Sequence, residues 1–179
     1  MKLGDYIREI NEKNDDLLIT LAQGIDVNMQ FISAKREAED KESARIVRNG
    51  QFAFNKVIKC NGTKLPIALR NGPDCIISSS YQVFEVKEKE QLLPRFLMLW
   101  LANPETQRYC GYKAWGSTRD VFTFFELSNL RIPFPPTEIQ NSIVSVYNCL
   151  QESKRIVDDA RELMKNICPA LVQKAAHSA

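Results

Sequence analysis

The sequence predicts an α+β head followed by one long C-terminal helix with a coiled-coil seam, and three observations predict it. First, Ile132-Pro133-Phe134-Pro135-Pro136 places three prolines in four residues. Each lacks a backbone donor and has a fixed φ, so neither a continuous helix nor a central strand runs through. Second, the chain beyond is apolar at 139, 143, 146, 150, 157, 160, 164, 167 and 171, at spacings that alternate four and three, with Ser153 the interruption. Third, short apolar runs broken by glycine and asparagine turns fill the chain ahead of the prolines. A chain of 179 residues suits one sizeable domain plus an appendage. The expected organisation is a domain over 1–136, a helix over 137–176 and a tail over 177–179.

Taken in order, residues 2–12 read as a short strand or helix leading into the domain. Residues 17–22 are an apolar run of strand length that ends at Gln23-Gly24, where glycine permits a turn. Residues 33–44 are polar and read as exposed helix or loop. Gly50-Gln51-Phe52-Ala53-Phe54-Asn55 sets two aromatics at period two after a glycine, the pattern of a half-buried strand. Asn61-Gly62 and Asn71-Gly72-Pro73 are turn signals, with a short strand over 65–69 between them. Residues 75–87 contain a strand whose second half alternates Tyr81, Val83 and Glu85 against Gln82, Phe84 and Val86. Pro94 opens a helix through Leu101 that is apolar nearly all round, hence buried. Residues 109–119, rich in glycine and aromatics, read as a loop, and 121–125 and 130–134 as the last strands. Thr137-x-x-Gln140 then reads as a capping box, the hydroxyl accepting from the amide of residue 140 and the glutamine reaching back to the amide of residue 137.

Composition removes several function classes. The chain has 24 basic and 22 acidic residues, a net charge of +2, so only local patterning can argue for nucleic acid. No run of 18 apolar residues suggests a membrane span, and the acid-containing N-terminus MKLGDYIREI is unlike a signal peptide. The cysteines at 60, 75, 110, 149 and 168 form no CxxC pair, and His177 is the sole histidine. Reduced thiols in a cytoplasmic protein are the expectation, with no disulfide framework, metal or cofactor. Histidine-dependent catalysis has almost nothing to stand on.

Three constellations remain. Residues 43–73 contain Arg45, Arg48, Lys56, Lys59, Lys64 and Arg70 and no acid. Residues 106–119 add Arg108, Lys113 and Arg119, again without an acid, among Tyr109, Tyr112 and Trp115. Such patches suit duplex DNA, through counterion release and arginine–guanine pairing. They equally suit an ordinary solvated surface whose acids lie elsewhere in sequence. Pro73-Asp74, ten residues, then Glu85-Val86-Lys87 fits the PD-(D/E)xK pattern of metal-dependent nucleases, in which two carboxylates hold Mg²⁺ and a lysine helps activate its water. The alternative makes Asp74 a turn residue and Glu85 and Lys87 the solvated end of a strand. The third constellation is the seam: Ile143, Leu150, Val157, Met164 and Leu171 in one heptad column, Ile139, Val146, Ser153, Ala160 and Ile167 in the other. A helix of roughly 35 residues is about 50 Å long. That exceeds what a head of this size can cover, so part of the seam meets another chain or a further part of the protein. Pro169 is expected to bend or fray the last turns.

Together these residues resemble the specificity subunits of Type I restriction-modification systems. Val47-x-x-Gly50-x-Phe52-x-Phe54-Asn55 is similar to one strand signature of that family, and Ile77-Ser78-x-x-Tyr81-x-Val83-Phe84 to the next. Pro94-x-Phe96-Leu97 matches the helix that follows. Gly116-Ser117-Thr118-Arg119, then Leu130-x-Ile132-Pro133-x-Pro135-Pro136-x-Glu138-x-Gln140-x-x-Ile143, is similar to the end of a target recognition domain running into a spacer helix. Ser79-Ser80 stand where a proline is common, and Ile139 splits the usual Glu-Gln pair. The resemblance implies a non-catalytic, sequence-specific DNA reader without a cofactor. Such subunits carry two recognition domains and two antiparallel spacer helices; one of each here implies a half-subunit. Its candidate DNA contacts are Lys56, Lys59, Asn61, Lys64, Arg70, Lys113, Ser117 and Arg119. Its helix, through Ile139, Ile143, Val146, Leu150, Val157, Ala160, Met164 and Ile167, would pair with a second copy and dock methyltransferase subunits, with a restriction subunit a further candidate partner. Two identical halves imply a palindromic bipartite target.

Overall fold

The computed structural model describes residues 1–34, 42–58, 64–114 and 120–176, with side chains of the last helix described to 165 and at 167. After a 3-10 turn over Leu3–Asp5 come strands β1 (Ile7–Ile10), β2 (Gln23–Ile25), β3 (Phe31–Ser33), β4 (Arg45–Val47), β5 (Phe52–Asn55), β6 (Ile67–Leu69), β7 (Cys75–Ile77) and β8 (Tyr81–Val86). Helices α1 (Pro94–Leu101), α2 (Pro104–Lys113), α3 (Phe124–Ser128) and α4 (Thr137–Ala176) follow. Two compact units divide at Gln140, so the first turn of α4 belongs to the head. The α+β class and the long C-terminal helix are as expected.

The central sheet is antiparallel throughout, in the order β1-β8-β5-β6. Its register, Phe52 opposite both Phe84 and Leu69, sets the large side chains Phe52, Phe54, Phe84, Val86, Ile67 and Ile7 on one face. Phe52 stacks on Phe84 at 4.8 Å between centroids, and Phe54, Phe122 and Phe124 meet this layer edge-on or tilted. The helix α1 packs over β6 with Phe96, Leu97 and Leu101 buried. The opposite face presents Ala53, Ala68 and Val83, which form a second core with Ile25, Val47, Cys75 and Ile77 from β2, β4 and β7. Two alanines there let the smaller ladders β2–β3 and β4–β7 approach closely. The strand expected to be half-buried is therefore buried on both faces. At its entry Gly50 takes φ 85°, a left-handed conformation in which a side chain would be strained.

Several other expectations change. The 17–22 run forms no strand: Leu17 takes φ 55°, in the left-handed region, Leu18 is 78% exposed, and only Ala22 bridges to Ile76. The buried Asn14 side chain accepts from the amide of Ile19 at 3.2 Å and donates to its carbonyl at 3.0 Å, doing for this loop what a neighbouring strand would do. The strand begins instead at Gln23, where a turn was expected. The 75–87 segment is two strands in different sheets, broken at Ser78-Ser79-Ser80. Residues 109–113 are helical, because Asn103 caps the amide of Glu105 and Pro104 occupies the first helical position. The stretches 121–125 and 130–134 contribute only the bridges Val57–Val121 and Lys2–Arg131, and Phe124 opens α3 with Glu126 accepting from the Thr123 amide at 2.8 Å. The 33–44 and Asn61-Gly62 readings fall largely or wholly outside the described residues.

The capping box at the proline junction is replaced by a different device. Thr137 is already helical, its hydroxyl donates to the Glu90 carbonyl at 2.8 Å, and the Gln140 amide bonds the Pro136 carbonyl. The Gln140 side chain, fully buried, accepts from the Leu93 amide at 2.9 Å and donates to the Gln91 and Pro135 carbonyls at 2.8 and 2.9 Å. It clamps the entry of α1 to the first turn of α4. We expect Gln140→Ala to lower stability by about 2 kcal/mol, because three partly buried backbone groups lose their partner. Urea unfolding would measure it, and a change within error would mean water replaces the clamp at no cost.

Candidate nucleic-acid interface

The fold brings the two acid-free stretches together. Val57 pairs with Val121, the Phe122 amide donates to the Lys56 carbonyl at 2.8 Å, and the Ile58 amide to the Asp120 carbonyl at 3.0 Å. Within the first stretch, the Leu65 amide donates to the buried Gln107 side chain of α2 at 2.8 Å, while Gln107 donates to the Leu101 carbonyl at 2.7 Å. The residues that flank 59–63 and 115–119 are thus held by each other and by α2. Lys56 is half-buried here, whereas Lys64 and Lys113 are exposed, and none of the three forms an ion pair among the described residues. Lys113 Nζ lies 5.6 Å from the centre of the Tyr109 ring. Lys59, Asn61, Ser117 and Arg119, with Trp115, lie outside the described residues.

The arginines have other work. Arg70 is only 6% exposed: Nε donates to the Pro73 carbonyl at 2.6 Å, Nη1 donates to Gln23, and the guanidinium sits 5.1 Å over the Phe31 ring. It ties the turn after β6 to β2 and β3, so its guanidinium is spent within the fold, although it was expected to be a DNA contact. Arg48 pairs with Glu12 and, at 2.9 Å, with Asp74, and Arg45 bonds Asn11 and approaches Glu9 at 4.0 Å. Acid-free in sequence is not acid-free in space here, since β1 and the segment after it run beside β4 and supply Glu9 and Glu12. Arg108 pairs with Glu105 on its own helix at 2.9 Å. Apart from the buried Arg70, the positive charge without an ion pair among the described residues of the two stretches is on Lys56, Lys64 and Lys113.

The nuclease-like pattern dissolves into structural contacts. Asp74 accepts from Arg48 at 2.9 Å and from the Asn49 amide at 3.1 Å. Glu85 stands opposite Arg8 across the β1–β8 ladder and accepts from its Nε at 2.7 Å and from Gln51 at 3.0 Å. Burial pushes its carboxyl up, but the Gln51 and Arg8 hydrogen bonds outweigh it and hold the group below the usual carboxylate range. Lys87 donates to the Gly4 and Asp5 carbonyls at 3.2 and 3.0 Å. Each member serves a turn or a ladder, so the trio assigned to metal and water has no group to spare. Of the cysteines, burial pushes the Cys110 thiol up to about 12 and raises that of Cys75, which keeps both protonated at neutral pH.

Considered by itself, α4 is a helix of 40 residues, about 60 Å long, that continues through Pro169. Ile139, Ile143, Val146, Leu150, Val157, Ala160, Met164 and Ile167 are all exposed. So are Ile156 and Leu163, which lie, with Cys149, immediately before the positions of one heptad column. The apolar face is therefore three columns wide, where a two-helix seam needs two. Reading strict heptads missed this flank, although its spacing of seven was there to find. The Glu152–Arg155, Arg155–Asp159, Asp158–Arg161 and Glu162–Lys165 pairs occupy other positions. No helix among the described residues is long and apolar enough to cross a membrane.

Residues 6–154 match the family described as Type I restriction modification DNA specificity domain. The chain belongs to this family. Its members are non-catalytic recognition components, which overturns the nuclease alternative. The match includes the strands, the four helical starts and the first part of α4. The HsdS subunit from Thermoanaerobacter tengcongensis has the same fold, with a TM-score of 0.55 at 17% identity over 89% of this chain and 38% of that one. A chain from a structure of complex assembly and conformational transition in the type I R-M system gives 0.58 at 16% identity, over 89% of this chain and 40% of that one. The chain spans about two-fifths of the length of these solved relatives. No curated protein matches it.

Proposed function

We propose that this specificity domain reads one half of a bipartite DNA target, with Lys56, Lys64 and Lys113 on its backbone-binding side together with Lys59, Asn61, Ser117 and Arg119. The observation that carries the reading is the contact between the two acid-free stretches, the first bonded through Leu65 to Gln107 of α2 in the second and paired at Val57 with Val121 just after it, in a chain of the DNA specificity domain family. Lysines without ion pairs favour phosphate contact, which positions a reader, while sequence is read by groups that reach base edges. The recognition domain runs through the proline junction into the first turn of α4, and the rest of α4 is the spacer. Its two heptad columns pair with a second copy, so that two identical heads meet a palindromic bipartite site. The third column, Cys149, Ile156 and Leu163, then remains for a methyltransferase subunit to cover.

Co-expression with a candidate methyltransferase tests this. The expected result is a complex that contains both chains and methylates adenines in a palindromic, interrupted sequence. Lys64→Glu with Lys113→Glu lowers methylation at least tenfold, about 1.4 kcal/mol, and leaves the complex intact. Failure to co-purify removes the docking role. Full methylation by the charge-reversed protein removes the lysines from the interface.

A further inference from the structure

Among the described residues of the head, the rings of Phe52, Phe54, Phe84 and Phe122 are buried, and the exposed aromatic rings are Tyr109, Tyr112 and Phe125. All three stand on α2 or α3. Phe125 is 72% exposed, and with Tyr109, Lys113, Glu126, Asn129 and Leu130 it lines a cleft of about 510 Å³. Tyr112, 78% exposed, and Phe125 stand mostly in water and fill no core, while Tyr109 is partly covered. The polar groups around them are specific. Lys113 sits beside the Tyr109 ring without an ion pair among the described residues. The Glu126 carboxylate is turned to the Thr123 amide and hydroxyl. Asn129 donates through Nδ2 to the Phe125 carbonyl at 2.9 Å, which leaves its Oδ1 able to accept.

We propose that this cleft takes one unstacked nucleotide of the bound DNA, its base against Phe125 and Tyr109 and its phosphate on Lys113. Three chemistries meet there: ring faces, a cation and an acceptor. A nucleotide carries the complement of each, namely a π-face, a phosphate and base N–H groups. An apolar peptide side chain would use the rings and leave the lysine idle. A base within a duplex has both faces covered by its neighbours, so the occupant must be out of the stack. DNA is the source because Lys113 stands on α2, whose Gln107 holds Leu65 and so brings in Lys64, another of the lysines proposed to meet the DNA backbone. The proposal thus rests on the DNA-reading function and adds to it a second mode of contact, to a displaced base.

The test uses the full chain at low salt, with a paired duplex, the same duplex carrying one extrahelical 2-aminopurine, and the free 2-aminopurine nucleotide. The extrahelical duplex is expected to bind about tenfold tighter than the paired one, as one base–aromatic stack would provide, and its fluorescence to fall on binding. Phe125→Ala removes the tenfold preference and the quenching but leaves the paired duplex bound as before. Phe125→Trp, which keeps a ring, retains both. Because Phe125 is exposed, both variants are expected to melt with the wild type. Equal affinity for the two duplexes with unchanged fluorescence overturns the cleft while leaving the DNA-reading function in place. A free nucleotide bound as tightly as the extrahelical one overturns DNA as the source. If no duplex binds at low salt, the DNA-reading function fails and the cleft fails with it.

Discussion

Replacing Ile143, Leu150 and Val157 together with glutamine gives a soluble monomer whose head melts as before. The three lie in one heptad column, and all are exposed along α4. Each is already about half covered, so burying the rest contributes about 1 kcal/mol. Six of them across a homodimer therefore contribute on the order of 6 kcal/mol, a large part of the roughly 8 kcal/mol of a micromolar association. Glutamine is a good helix former, so the helix itself survives and the loss can be assigned to the seam. Sedimentation equilibrium is the measurement. Halving of the mass is the expected outcome, and an unchanged mass would end the proposal that α4 pairs with a second copy. With the methyltransferase present, the same variant separates the columns: retained co-purification would place that contact on the Ile156 and Leu163 flank.

Phe84→Ala is expected to lower the stability of the head by about 3–5 kcal/mol. Phe84 is fully buried in β8, the strand between β1 and β5, and its ring touches those of Phe52, Phe54 and Phe124 at centroid distances of 4.8, 6.0 and 6.1 Å. Its removal leaves a void that stiff neighbouring rings cannot fill. Against a total stability of about 5–15 kcal/mol for a domain, this comes close to unfolding. Urea titration checks it: the midpoint should drop with the slope unchanged. A loss under about 1 kcal/mol would mean the ring layer relaxes and does not hold the sheet to α1 and α3.

The site was legible only in part. Charge patterning picked out Lys56, Lys64 and Lys113, and the structure leaves them unpaired among the described residues. The same patterning picked out Arg70, Arg45 and Arg48, whose partners Gln23, Glu9 and Glu12 lie far away in sequence. Four buried amides, on Asn14, Gln51, Gln107 and Gln140, organise the loops, each offering a donor and an acceptor to backbone or side-chain groups nearby. Only Gln140 carried any signal, and its spacing from Thr137 suggested a local cap where a contact across 47 residues stands. The helix over 104–113 was lost to its glycine and aromatic content, because its N-cap and first-turn proline lie before the stretch that drew attention.

By itself the sequence determined the class of the head, the ring-bearing strands β5 and β8, the helix α1, the break at the prolines, the long apolar-faced helix and the family. These are short-range properties: side-chain period, a missing donor, a fixed φ and a heptad repeat all act within a few residues of one another. Tertiary structure alone decided that both faces of β5 are buried, that Arg70 is a core residue, that Asp74, Glu85 and Lys87 serve the fold, and that the first basic stretch is bonded to α2 of the second. Each of those depends on which distant groups arrive alongside. A charge has no fixed role until its neighbours in space are set, since the same guanidinium that would bind phosphate in water is spent once a buried carbonyl and a ring close over it.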